Sequence, residues 1–163
     1  SSLLMTIAGL LRPEAGTIAY REGAAAAPVE TALHLLGHRS AIKGVLSVCE
    51  NLAFWRDVNG GGGETVAAAL EALGIGALAE LPAGYLSAGQ TRRLALARLL
   101  VCRRPLWLLD EPTSALDAAG ADLVVRLVGT HVLAGGMAVV ATHLDLPGLP
   151  EGRVETITLG AGT

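Results

Sequence analysis

The sequence predicts an α/β fold in which helices connect the strands of a parallel sheet. Two observations favour this class. Continuous apolar runs at residues 106–109 and 137–141 lead directly into polar residues, which is typical of parallel strands that are buried on both faces. A stretch of helical periodicity separates the two runs, and strands that are connected through helices usually share one parallel sheet.

The first part of the chain alternates between helical and extended patterns. Apolar residues recur at helical spacing over residues 2–11, where a proline and a glycine then end the helix. Residues 17–20 are a short strand candidate, and residues 23–28 form an alanine-rich loop. Residues 32–36, which are apolar except for His34, predict a further buried strand.

Residues 45–86 differ in character and predict a helical insert. Helical patterns cover residues 47–55 and 64–73, and the second contains strong helix formers with an apolar face. A long helix is predicted next, at residues 88–102.

Two further elements come after the strand predicted at residues 106–109. Residues 117–133 predict a helix with Asp117 at its N-cap. Residues 154–159, beyond the strand at 137–141, alternate between apolar and polar side chains and are a candidate edge strand.

Composition narrows the class of function. Apolar residues make up 52% of the 163 residues, which favours a folded domain. The formal net charge of −3 argues against nucleic acid as a partner, because binders of phosphates need a basic surface. No apolar stretch reaches the roughly 18 residues of a membrane-spanning helix. If the protein acts at a membrane, we therefore expect it to do so through a partner protein. The two cysteines lack a metal or redox spacing, which favours the cytosol.

Two adjacent carboxylates, Asp110 and Glu111, end the strand at residues 106–109. Ligands of open α/β sheets bind beyond the carboxyl ends of the strands. Neighbouring strand residues point in opposite directions, so the two acids suit different tasks. One would bind Mg²⁺ or its water shell, and the other would activate a water molecule. The alternative is a strand end with two solvated acids.

Other polar residues stand where elements begin or end. Ser87, Gly89 and Gln90 open the helix at 88–102, and a helix N-terminus offers free N–H groups to an anion. A plain serine N-cap is the alternative. His143 comes directly after the strand at 137–141 and Thr142, where a lone histidine is more often structural than catalytic.

Taken in this order, the segments resemble the ATPases of ABC transporters. The signature loop of that family is similar to LSAGQ at residues 86–90, its acidic strand and next loop are similar to LWLLDEPTSALD at 106–117, and a histidine such as His143 closes its next strand. The resemblance covers the whole chain. It implies a parallel sheet core of the P-loop NTPase type with a helical signature subdomain at about residues 45–86, within a partial ATPase domain at 1–163.

The resemblance also implies roles around ATP and Mg²⁺. Asp110 would organise Mg²⁺ through water, Glu111 would be the general base, and His143 would contact the γ-phosphate. The signature residues would contact an ATP held by a second ATPase protomer, and the loop after the acidic strand would connect the two sites. These residues are Ser87, Gly89, Gln90, Ser114 and Asp117.

One departure from the family pattern concerns the phosphates. No G-x-x-x-x-G-K-[ST] segment occurs, and the single lysine, Lys43, precedes a glycine. Ser1, Ser2 and the helix after them are similar to the segment that comes after the phosphate-loop lysine in the family. The resemblance therefore implies that both serines lie at the nucleotide and that Ser1 ligates Mg²⁺, with a helix cap as the alternative for Ser1. We expect the chain as it stands to bind little ATP and to be poorly stable.

A second departure is His38. Most members of the family carry a glutamine there, which senses Mg²⁺ and transmits motion to the membrane partner. An imidazole can coordinate a metal or accept a hydrogen bond, but it is not equivalent to a glutamine. A simple loop histidine is the alternative.

A narrower resemblance is to the ATPase subunits of cytochrome c maturation haem exporters. The segments that carry it are Gly37-His38, Ile42-Lys43 and Glu50-Asn51-Leu52. It implies a peripheral protein on the cytoplasmic face of a bacterial inner membrane, bound to an integral membrane permease and to haem-delivery machinery. Three alternatives stay open: an ABC ATPase for another cargo such as a drug or lipid, a soluble ABC protein of DNA repair or translation, and an inactive truncated copy.

Overall fold

The chain starts with a short helix and two short paired strands in the computed structural model, which describes residues 1–22, 25–26 and 32–159. Helix α1 (Ser2–Ile7) is shorter than the predicted 2–11, because Gly9 takes a positive φ of 73° that ends the helical path. Strand β1 (Arg21–Glu22) pairs antiparallel with strand β2 (Ala25–Ala26).

The prediction of a strand at residues 17–20 is wrong. Those residues are irregular, and the extended pairing begins only at Arg21. A strand needs a hydrogen-bonding partner, and β2 lies opposite residues 21–22 alone. The prediction of a loop at 23–28 is wrong for residues 25–26, which form β2, and the other residues of that range lie outside the described part of the chain.

Three parallel strands form the sheet that organises the molecule. They are β3 (Leu33–Leu36), β4 (Leu106–Asp110) and β5 (Met137–Ala141), with β4 between the other two. In register, Leu36 lies opposite Leu109, and Asp110 lies opposite Ala141. The predicted α/β class and its three apolar strands are confirmed, and all three strands end at the same edge of the sheet.

The chain forms four longer helices among the described residues: α2 (Val48–Val58), α3 (Val66–Ala72), α4 (Ala88–Val101) and α5 (Ala118–Leu133). Helices α2 and α3 pack on α4, and α4 and α5 contact the sheet. Each begins after a residue whose side chain accepts a hydrogen bond from the backbone N–H three positions later, which stabilises a helix start by about 1 kcal/mol. These N-cap residues are Ser47, Thr65, Ser87 and Asp117. Within the described ranges, no helix is long and apolar enough for a membrane crossing.

One hydrophobic core joins the helical segment to the sheet. Two short 3₁₀ helices, Gly76–Leu78 and Ala83–Tyr85, connect α3 to α4. The leucines and valine at the centre of the core are at most 1% exposed, and a fully buried leucine contributes roughly 1.5–3 kcal/mol. They come from α2, α3, α4, β4 and α5, and are Leu52, Leu70, Leu96, Leu109 and Val124. This shared packing fixes the start of α4 relative to the end of β4.

The prediction of an edge strand at residues 154–159 is also wrong. No strand forms there, and Val154, Ile157 and Leu159 are 56%, 73% and 70% exposed. Alternation of apolar side chains leads to a strand only where one face packs against the rest of the protein.

Candidate functional site

The end of β4 carries two acids that the backbone sends in different directions. Asp110 is the last residue of the strand and is only 6% exposed. Glu111 extends the sheet by one bond, since its N–H donates to the carbonyl of Ala141 at 2.8 Å. Its φ of 46° lies in a region that residues other than glycine rarely adopt. Such strain, of order 1–3 kcal/mol, persists only where the surroundings hold it.

Asp110 faces the start of the chain. The Ser1 hydroxyl donates a hydrogen bond of 2.6 Å to Asp110 Oδ2. Ser1 occupies the N-cap position of α1, but its side chain makes no capping hydrogen bond. The structure therefore places the Ser1 hydroxyl at the carboxylate, 109 residues away in sequence, rather than at the helix. Ser2 is the first residue of α1 and is exposed.

Glu111 faces the end of β5 instead. Its Oε1 lies 3.0 Å from Nδ1 of His143, and its Oε2 accepts a hydrogen bond of 3.3 Å from the Thr142 hydroxyl. The Glu111 side chain is 30% exposed and that of His143 is 77% exposed, so this corner is open to ligands from solvent. Sequence reasoning missed Thr142, whose one signal was its position between β5 and His143.

The Ser1 hydroxyl and the Asp110 carboxylate form a pair of hard oxygen donors. Mg²⁺ in proteins is usually held by one or two carboxylates together with water and phosphate oxygens. The donor chemistry of this pair therefore fits Mg²⁺.

The N-terminus of α4 forms a capping box. Ser87 Oγ accepts from the Gln90 N–H at 3.2 Å, and Gln90 Oε1 accepts from the Ser87 N–H at 2.8 Å. The alternative considered for Ser87, a helix N-cap, thus describes its contacts in this structure. A hydroxyl that accepts one hydrogen bond can also donate one, so capping is compatible with a contact to a phosphate.

The loop after β4 packs against this helix start. A Cβ atom placed on Gly89 would lie 3.0 Å from the carbonyl oxygen of Ala115, so the close approach favours glycine. Asp117 caps α5 through the Gly120 N–H at 2.9 Å and lies 3.4 Å from a guanidinium nitrogen of Arg93 on α4. The same loop contains Ser114, whose N–H donates to the Glu111 carbonyl at 3.0 Å.

His38 lies at the same sheet edge but apart from the acids. It stands two residues beyond the end of β3 and is exposed. Among the described residues, its side chain has no hydrogen bond. The structure thus forms two contact pairs, Ser1 with Asp110 and Glu111 with His143, and among the described residues it brings His38 into neither pair.

Arg92 is a functional candidate that sequence reasoning missed. It is 3% exposed, and its guanidinium donates four hydrogen bonds to backbone carbonyls. Burial lowers the pKa of Arg92 from its ordinary value, and the nearby Asp110 and Glu111 carboxylates oppose this shift. A polar residue within a helix gives no sequence signal of such a role, because most arginines at such positions are solvated.

Comparison with known proteins identifies the family. The family model for ABC transporters matches residues 1–114, which include the start of α4, the acidic strand and Ser114. The chain belongs to the ABC transporter family. Asp117 and His143 of this ABC ATPase lie beyond the matched range.

Two relatives carry the same name. The cytochrome c biogenesis ATP-binding export protein CcmA of Rhodopseudomonas palustris (strain BisB5) is 57% identical over 146 residues, which are 90% of this chain and 73% of the relative. The protein of that name from Brucella abortus (strain 2308) is 49% identical over 146 residues, or 90% of this chain and 68% of the relative.

Solved structures share the fold of this ABC ATPase. A Pyrococcus furiosus structure described as an ABC transporter ATP-binding protein has a TM-score of 0.75 at 24% identity, over 90% of this chain and 74% of the other. A dimeric ATP-binding cassette in a post-hydrolysis state with ADP and Pi has a TM-score of 0.62 at 23% identity, over 71% and 53% of the two chains. At these identities the likeness concerns the fold, and it confirms the predicted ABC ATPase architecture.

Proposed function

We propose that this chain is the ATP-hydrolysing subunit of an ABC transporter that serves the biogenesis of c-type cytochromes. The observation that carries the proposal is the separation of two carboxylates at one strand end. Asp110 contacts the Ser1 hydroxyl, while Glu111 contacts His143. Relatives with the CcmA name support the assignment to cytochrome c biogenesis.

Glu111 is the general base of the proposed reaction. It accepts one proton from a water molecule, whose oxygen bonds to the γ-phosphorus as the bond to the bridging oxygen of ADP breaks. ADP and inorganic phosphate are the products. His143 orients the Glu111 carboxylate through the 3.0 Å contact and meets the γ-phosphate with the exposed part of its ring. Protein catalysis of phosphoryl transfer consists mainly of such positioning and charge stabilisation.

Ser1 and Asp110 would hold Mg²⁺ in this proposal, the Ser1 hydroxyl as a ligand and the Asp110 carboxylate through water. A bound ion would neutralise charge on the phosphate oxygens. Ser2 provides a further contact at the nucleotide, and His38 approaches the same edge from the end of β3.

A second protomer completes each site. The N–H groups of Ala88 and Gly89 at the start of α4, together with the side chains of Ser87 and Gln90, bind the γ-phosphate of an ATP on the opposite protomer, where a helix N-terminus favours an anion. Ser114 and Asp117 connect the two sites. In this assignment residues 1–163 are a partial ATPase domain, and about residues 45–86 are its helical subdomain.

The cargo proposal is haem, either exported or released with a haem-loaded chaperone. The partners would then be an integral membrane permease and haem-delivery machinery, with the ATPase peripheral on the cytoplasmic face of the bacterial inner membrane. The net charge of −3 argues against nucleic acid as a partner.

The test is a gene replacement with Glu111→Gln in the organism that carries the gene. We expect c-type cytochromes to disappear from haem-stained gels of the membrane fraction. The b-type cytochromes, measured by absorbance difference spectra of the same membranes, should persist. Glu80→Gln changes an exposed carboxylate outside the site and should leave both classes intact. Normal c-type cytochromes in the Glu111→Gln strain would exclude the proposed process, and an effect on another transport phenotype would point to a drug or lipid cargo.

A further inference from the structure

Arg92 joins two loops at the catalytic edge of the sheet. Its Nη2 donates to the carbonyls of Asp110 and Glu111, both at 2.7 Å, and its Nε donates to the carbonyl of Pro112 at 3.2 Å. Its Nη1 donates to the carbonyl of Gly37 at 3.1 Å. A single guanidinium thus holds three successive carbonyls at the end of β4 and one carbonyl after β3.

The three carbonyls belong to the strained part of the backbone. Glu111 has a φ of 46°, and a conformation of this kind persists only when other contacts fix the peptide groups around it. The carbonyls on both sides of the Glu111 Cα accept from Arg92, so the hydrogen bonds fix the peptide planes that set the direction of its side chain.

The geometry requires a guanidinium rather than any cation. Arginine presents five N–H donors in one rigid plane, whereas the ammonium group of lysine is a compact point charge on a flexible stem. All three nitrogens of Arg92 donate, to two separate chain segments. A lysine in its place has one nitrogen and cannot reach both segments in the same way.

Arg92 also connects the loop after β4 to the start of α4. It lies on the same helix as Ser87, which is the N-cap, and five residues along an α-helix span about 7.5 Å. On the proposed function, the start of α4 meets the nucleotide of the opposite protomer, while the loop after β4 acts on the protomer's own nucleotide. The Arg92 side chain therefore links α4 to the Glu111 backbone.

We infer that Arg92 is a positioning residue for ATP hydrolysis, which fixes the 110–112 turn so that Glu111 meets the attacking water and which couples that turn to α4. The inference rests on the proposed function. Arg92 itself touches neither nucleotide nor water in this mechanism, and it acts through the backbone of Asp110, Glu111 and Pro112.

The test compares Arg92→Lys with Arg98→Lys in the full gene product. Arg98 is a matched control, because it lies on the same helix, is half-buried, stacks 3.5 Å above the Trp55 ring and donates to the Ser40 carbonyl. Displacements of about 1 Å at a catalytic group can lower rates about 100-fold. We expect Arg92→Lys to lower kcat by about that factor with KM for ATP unchanged, and Arg98→Lys to leave kcat at the wild-type value.

A second measurement separates positioning from folding. Rates are normalised to the ATP-binding sites counted with a fluorescent ATP analogue, and Arg92→Gln is measured as well, since its neutral amide keeps two donors. In a Glu111→Gln background, Arg92→Lys should change the residual rate no further, because both changes act through one group. Equal normalised kcat values for Arg92→Lys and Arg98→Lys, or additive effects with Glu111→Gln, would overturn the inference. A wild-type protein without ATPase activity would instead contradict the proposed function.

Discussion

His143 Nδ1 lies 3.0 Å from Glu111 Oε1, which joins the residue after β4 to the second residue after β5. The Glu111 N–H also donates to the carbonyl of Ala141, the last residue of β5. Side chain and backbone of Glu111 are thus both held by the neighbouring strand. The direction of the proposed base therefore depends on the residues at the end of β5.

Replacement of His143 with alanine removes one of these contacts. We expect kcat for ATP hydrolysis to fall about 100-fold, the lower part of the range for a lost acid–base or electrostatic group. ATP affinity should change little, since the Asp110 and Ser1 contacts remain. Leu144→Ala, which alters the exposed neighbouring residue, is the control. Turnover of His143→Ala at the wild-type rate would show that Glu111 needs no such partner.

Ser87→Arg tests the proposed contact between protomers. The long side chain at the exposed start of α4 should block closure of the ATP-bound dimer while each protomer still binds ATP. Ser47→Arg is a matched control, because Ser47 heads the same type of capping box on α2, so both variants lose a cap of about 1 kcal/mol. ATP-dependent dimerisation is measured by size-exclusion chromatography with light scattering. Loss of ATP binding in Ser87→Arg alone would place Ser87 in its own protomer's site.

His34 should make stability depend on pH. Burial lowers its pKa to about 4, and its Nε2 lies 2.8 Å from the Cys102 carbonyl. His34 takes up a proton near pH 6.5 in the unfolded chain and only near pH 4 in the folded chain. The free energy of unfolding is therefore highest above pH 6.5 and falls as the pH decreases from 6.5 to 4. The loss from His34 is on the order of 3 kcal/mol.

Urea unfolding between pH 7 and pH 4 measures this dependence. His34→Gln keeps a side-chain donor without a group that titrates, so its unfolding free energy should fall less across the window. Burial lowers the pKa of His131 as well, and the variant should retain that smaller slope. Identical pH profiles for both proteins would mean that His34 is accessible to protons in the folded state.

His38→Gln introduces the residue that the resemblance to the family implies at this position. The exposed His38 side chain has no hydrogen bond among the described residues. We therefore expect basal ATP hydrolysis, measured as phosphate release, to be preserved. Abolished hydrolysis would make His38 itself part of the catalytic machinery.

The sequence predicted those parts of the fold that depend on local patterns. The apolar runs that became β3, β4 and β5 form the sheet, and Asp117 caps α5 as expected. The prediction of a strand at residues 154–159 was wrong, because alternation of apolar and polar side chains does not show whether a surface exists for the apolar ones to pack against. Val154, for example, is 56% exposed.

The site shows a similar division. The place of Asp110 and Glu111 at a strand end could be predicted from the sequence. The family resemblance placed Ser1 and His143 at the same nucleotide, but no local pattern predicted their direct contacts with the two acids. The contact between Ser1 and Asp110 joins residues 109 positions apart, and the Arg92 bonds to the turn after β4 depend on tertiary packing. Such long-range contacts leave no local pattern.

The most direct test of the proposed mechanism is ATP turnover by the full gene product and its Glu111→Gln variant. The two proteins are compared by phosphate release and by the nucleotide that remains bound after gel filtration. We predict that the wild type hydrolyses ATP and that Glu111→Gln retains uncleaved ATP in a closed dimer. Turnover by Glu111→Gln at the wild-type rate would remove Glu111 as the base and contradict the mechanism.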